Sequence, residues 1–100
     1  MTDEDAKHYA KTMSELERKV IVLCSERQSL GYSRLAEKLD VNYAEAQRAG
    51  DYLKAANLAT IETTRRGSEY SGSAIFLNER GEQVKQAVVR AEVRKTRAQD

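Results

Sequence analysis

The chain has 100 residues, of which 40% are hydrophobic and 33% charged, and its formal net charge is +1. One domain of this length can enclose a core without disulfides or metal, and the composition excludes a disordered chain. The charge balance excludes a bulk basic excess, no apolar run is long enough to span a bilayer, and a single cysteine, Cys24, excludes an internal disulfide and a Cys-rich zinc site.

The opening stretch, MTDEDAKHYAKT, is acidic and polar, so it is not a secretory signal, and the simplest expectation is a cytoplasmic protein. Within this arm, residues 1–13, Ala6, Tyr9, Ala10 and Met13 share a helical face. Ser14 to Glu17 form a capping box, which predicts a helix start. Leu16, Val20, Leu23 and Cys24 then fall on one face, widened by Ile21 and Val22, and the helix is expected to end near Ser29, before Gly31. Ser33 is a candidate N-cap for a second helix, Arg34 to Leu39. Asp40-Val41-Asn42 makes a short turn. Asn42 followed by Glu45 has the form of another capping box, opening a third helix from Tyr43 to about Ala56 with Ala46, Ala49, Gly50 and Leu53 inward. Asn57 suits a left-handed stop.

After Leu58 the period changes. Residues 59–64 are β-branched and roughly alternating, residues 65–73 form a polar tip, and Ala74 to Leu77 make a second short strand: a β-hairpin. Asn78 then caps a last helix, Glu79 to about Arg97, with Val84, Ala87, Val88 and Ala91 on one face and Val89 and Val93 on a second strip.

The stretch LDVNYAEAQRAGDYLKAANLA resembles the helix-turn-helix of MarR-, PadR- and ArsR-like bacterial and archaeal regulators. Leu39-Asp40-Val41-Asn42 stands where those families have a Leu-x-Val-Ser turn. Leu53 to Leu58 stands where they have Leu-x-x-x-Gly-Leu, with Asn57 in place of the glycine. Residues 76–81 are similar to the Leu-Thr-x-x-Gly that closes their wing. The resemblance implies an α+β, mostly α, winged helix-turn-helix, with a three-helix core and β-hairpin wing over residues 14–81 and a long C-terminal helix over residues 82–100. Gly50 departs from the pattern: either another helix backbone approaches closely there, with Tyr52 or Tyr32 filling space, or the helix bends.

The function this implies is sequence-specific binding of double-stranded DNA by a small transcriptional regulator, a repressor. Tyr43, Gln47 and Arg48 would face the major groove, where Arg can read guanine and Gln adenine, and Tyr43 would stack on a sugar or meet a thymine methyl. Ser33 and Arg34 would lie near phosphate, Asn42, the cap of the reading helix, would join the DNA-binding set, and Arg65, Arg66 and Tyr70 would lie on the wing near the minor groove or backbone. Glu45 and Asp51 on the same helix oppose phosphate. The last helix is longer than one core can cover, so Val84, Val88 and Ala91, joined by Tyr9 and Met13, are expected to form a homodimer interface. The alternative is a winged helix used as a protein-interaction module without DNA binding, which the near-neutral charge favours. Cys24 reads as a core residue, and His8 stands alone. No Gly-rich phosphate loop or nucleophile–base pair points to an enzyme, a cofactor or a small-molecule ligand.

Overall fold

The computed structural model describes residues 2–66 and 69–98, with the backbone alone for 64–66, 69–71 and 94–98. The first helix, α1, spans Asp3–Thr12 and is built by a capping box. The Thr2 hydroxyl accepts from the Asp5 amide at 3.2 Å, and the Asp5 carboxylate accepts from the Thr2 amide at 3.3 Å. The Thr2 amide, and after it the Thr2 hydroxyl, favour the charged carboxylate and hold the Asp5 carboxyl below its ordinary value. The arm is thus a helix, and its Ala6, Ala10 and Met13 are buried in the common core.

Helix α2, Glu15–Leu23, starts at the expected capping box of Ser14 and Glu17. It ends six residues before Ser29. Cys24 turns to an extended conformation because tertiary partners replace the next helical bonds. The Ser25 carbonyl accepts from the Leu77 amide at 2.9 Å, the Cys24 carbonyl from Lys85 Nζ at 2.7 Å, and the Glu26 amide donates to the Glu82 carboxylate at 2.8 Å. The inward face is also narrower than its periodicity predicts. Val20, Ile21 and Cys24 are buried, while Val22 and Leu23 remain 37% and 39% exposed.

Strand β1, Leu30–Gly31, is too short to leave an alternating signal. Gly31 is the N-cap of α3, Tyr32–Leu39, and makes no side-chain cap bond. Ser33 therefore does not cap this helix; it lies in the first turn. Asp40 closes α3 in the left-handed region at φ 54°, with Val41 N–H reaching the Ala36 carbonyl at 3.0 Å. Helix α4 spans Tyr43–Ala55, and the Asn42 side chain caps it by accepting from the Glu45 amide at 2.8 Å. Asn57, at φ 61°, ends the turn after it, while Leu58 N–H bonds the Leu53 carbonyl at 2.9 Å. This six-to-one closure is the stop expected of an asparagine standing in for glycine.

Strands β2, Ala59–Arg66, and β3, Glu69–Leu77, pair antiparallel from Ala59↔Leu77 to Arg66↔Glu69, with an irregularity between Thr64 and Arg65. Pairing thus continues through most of what the sequence reads as a polar tip. β1 adds to the other side of β3 through Leu30↔Ile75 and Gly31↔Ala74, so the sheet order is β1-β3-β2. Helix α5, Glu79–Ala98, follows. Asn78 N-caps it through Gly81 N–H at 2.8 Å and donates its amide to the Asn57 carbonyl at 2.8 Å. A Cβ added at Gly81 would press into the Leu58 carbonyl and lie 3.1 Å from Leu77 Cβ, so no side chain fits there.

One core joins every helix to the sheet: Val20, Ile21, Tyr32, Leu35, Leu53, Leu58, Ile75, Leu77, Val84 and Val88 are each no more than 2% exposed. Full burial of such side chains stabilises by about 1.5–3 kcal/mol each. The architecture is a mostly helical winged helix: three core helices, a hairpin wing on a three-stranded sheet, and two outer helices packed together.

Candidate nucleic-acid interface

The surface of α4 follows from its burial pattern. Ala46, Ala49, Gly50 and Leu53 point into the core. Ala44, Gln47, Arg48 and Asp51 point out on the opposite face, with Glu45 half-buried at its edge. Among the described residues, neither the Gln47 nor the Arg48 side chain has a hydrogen-bond or ion-pair partner within the chain, so their donors face solvent. Gln47 offers a carboxamide with two donors and an acceptor, and Arg48 a planar five-donor fork.

Tyr43, the first residue of α4, is 37% exposed and packs edge-to-face on Tyr32, with ring centroids 5.9 Å apart and planes at 80°. Tyr32 is fully enclosed rather than half-wet as its hydroxyl would suggest. The hydroxyl end of its ring lies against Gly50: a Cβ added there would press into the Tyr32 hydroxyl and come within 2.6 Å of Cε1. The mid-helix glycine is therefore the seat of an aromatic ring. The sequence signals this only through Gly50 itself.

Ser33 and Arg34 are exposed in the first turn of α3, and Asn42 is exposed at the start of α4 while its side chain is engaged as the cap. The backbones of Arg65 and Tyr70 face each other across β2 and β3, and Arg66 faces Glu69. The side chains of Arg65, Arg66 and Tyr70 lie outside the described residues.

The residues expected at a dimer interface divide. Met13, Val84 and Val88 are 3%, 0% and 1% exposed within this one chain, where α5 packs on both α1 and α2. Within this chain they belong to the core and not to a surface. Tyr9 is half-buried and Ala91 exposed, and Val89 and Val93 stand out at 37% and 47%.

Among the described residues no group of three His, Cys, Asp or Glu side chains could hold a metal ion, and no helix is long and apolar enough to cross a membrane. Cys24 is buried, and desolvation pushes its thiol up to about 12, opposed in part by the Lys85 ammonium.

No family model and no curated protein matches the chain. Solved structures do. The transcriptional regulator SlyA superposes with a TM-score of 0.71 at 18% identity, over 96% of this chain and 68% of that one. A MarR-family transcription regulator superposes equally well, with a TM-score of 0.71 at 18% identity, over 96% of this chain and 62% of that one. FabT from Streptococcus pneumoniae, solved in complex with DNA, gives 0.63 at 16% identity over 89% of this chain and 59% of its own. The chain thus has the winged-helix fold of MarR-type regulators, and it spans roughly three-fifths to two-thirds of the length of these proteins.

Proposed function

We propose that this protein binds double-stranded DNA as a transcriptional regulator, acting as a dimeric repressor in the cytoplasm and carrying out no catalysis. The observation that carries the reading is the outward face of α4. A helix capped by Asn42 exposes Gln47 and Arg48 beside the exposed start of α3, on the fold that FabT shares in its DNA complex. A helix of this kind enters the major groove through its N-terminal half. Gln47 would read adenine and Arg48 guanine, each with about 1–3 kcal/mol of discrimination. Ser33 and Arg34 would meet phosphate, Asn42 would fix the register of α4, and Arg65, Arg66 and Tyr70 would bring the wing to the backbone or minor groove.

Charge supports a division of labour. The total of +1 supplies little general attraction, so affinity rests on a few sorted cations, and Glu45 and Asp51 disfavour any docking that brings phosphate against the middle of α4. The dimer contact would come from Tyr9 and Ala91 with Val89 and Val93, the surface residues of α1 and α5.

The test is a titration of the full chain against random duplex at low salt, where winged-helix binding through phosphate is strongest. Non-specific dissociation constants of about 10⁻⁴–10⁻⁶ M at physiological salt tighten steeply as salt falls. Measurable, salt-sensitive binding is expected. No binding at the lowest salt would overturn the DNA reading.

A further inference from the structure

We infer that Tyr43 reads the C5-methyl group of a thymine, and that Tyr32 is the positioning residue that holds its ring for that contact. The inference rests on α4 being the DNA-reading helix and adds the base and the group it recognises.

Most large apolar side chains left exposed among the described residues, Val22, Leu23, Val89 and Val93, lie on α2 and α5. Tyr43 is the one on α4, and it stands on the first turn, the part of a reading helix that goes deepest into the groove. Desolvating an exposed ring in that place is favourable only where something apolar meets it. The major-groove edge of the four base pairs presents one apolar group, the thymine methyl.

The ring is also fixed in advance. Gly50 leaves room for the hydroxyl end of Tyr32 against α4, Tyr32 is 2% exposed, and its ring meets Tyr43 edge-to-face at 5.9 Å. The stack runs from the middle of α4 back to its first turn, so Tyr43 is braced by the core of its own helix. A braced aromatic side chain loses little rotamer freedom on binding, so a contact as small as one methyl registers in affinity. Ala44, exposed beside it, adds no polar group that a base could use instead.

The experiment starts from sites selected out of random duplex by the full chain. Each thymine in a selected site is replaced in turn by uracil, which lacks only the methyl. One position in each half-site is expected to lose about fourfold in affinity, the equivalent of about 0.8 kcal/mol for one buried methyl. Tyr43→Ala should bind the thymine and uracil duplexes alike. Tyr32→Phe should keep the thymine preference, and Tyr32→Leu should reduce it. The readout is the ratio of two affinities for one protein sample, so any loss of folded protein cancels. A site whose thymines can all be replaced without effect overturns the inference, as does a Tyr43→Ala variant that keeps the wild-type ratio. Binding that fails on every duplex at low salt overturns the DNA reading and this inference together, which separates the two failures.

Discussion

The Tyr32 ring occupies the space where a side chain at position 50 would stand, so Gly50 and Tyr32 form one packing unit across α3 and α4. Gly50→Ala pits two effects against each other. Alanine favours the helix by about 1 kcal/mol, whereas forcing a methyl into a filled site typically costs about 1–3 kcal/mol. An approach of 2.6 Å to a ring that is itself enclosed makes the second effect win. The expected result is a lower urea midpoint for Gly50→Ala. In a Tyr32→Leu background the same change should raise the midpoint. A double-mutant cycle without that reversal of sign would mean that the ring yields easily.

The Cys24 thiol makes stability depend on pH at the alkaline end. Its unfolded value is 9.0 and its folded value about 12. Below pH 9 both states hold the proton and pH has no effect. Between 9 and 12 the unfolded chain ionises while the folded one does not, so stability falls as pH rises, by about 1.4 kcal/mol per unit. The difference in urea midpoint between pH 8 and pH 10.5 should be smaller in Cys24→Ala than in the wild type. A thiol reagent at pH 8 should react with the wild type only as fast as it unfolds.

Asn78 makes two bonds of different purpose, one capping α5 and one to the end of α4. Asn78→Ala should cost about 0.5–2 kcal/mol for the cap and about 1 kcal/mol for the tie to Asn57. Asn78→Asp keeps the acceptor for Gly81 and loses the donor to Asn57, so its thermal midpoint should fall between those of wild type and alanine variant.

The proposed DNA-binding residues predict two distinguishable phenotypes. Arg48→Ala should lose about 1–3 kcal/mol on a selected site and relax the preference at one base position. Replacing both Arg65 and Arg66 with alanine should weaken binding to all sequences and lower the slope of log affinity against log salt by about 2, one for each phosphate that the wing no longer neutralises. Binding curves on selected and random duplex over a range of salt separate the two. An unchanged salt slope in the wing variant would remove those arginines from the interface.

The features legible from the sequence are those made by neighbours along the chain. The capping box at Ser14, the Asn42 cap and the Asn57 stop each depend on residues within a turn. The early end of α2 and the strand at Leu30 were not legible, because both are set by β3 and α5, some fifty residues on, through Leu77, Glu82 and Lys85. Periodicity identified the stripe of Val84 and Val88, but an apolar stripe does not say whose core it enters. Here α1 and α2 of the same chain take it. At the candidate interface, the outward positions Gln47 and Arg48 could be read from helical spacing. The bracing of Tyr43 by Tyr32 could not, because it needs α3 and α4 at their actual separation.

Both ends of the helix-turn-helix are sewn to one short stretch of chain. It leaves β1 where Leu30 and Gly31 pair with Ile75 and Ala74, and it returns where the carbonyls of Asn57 and Leu58 accept from the side chain and backbone of Asn78. Residues 32–58 are therefore an excursion from a frame made by residues 74–78. A frame that holds both seams of a segment leaves its contents exchangeable. A different pair of helices, matched in span and in their buried positions, would meet the same seams.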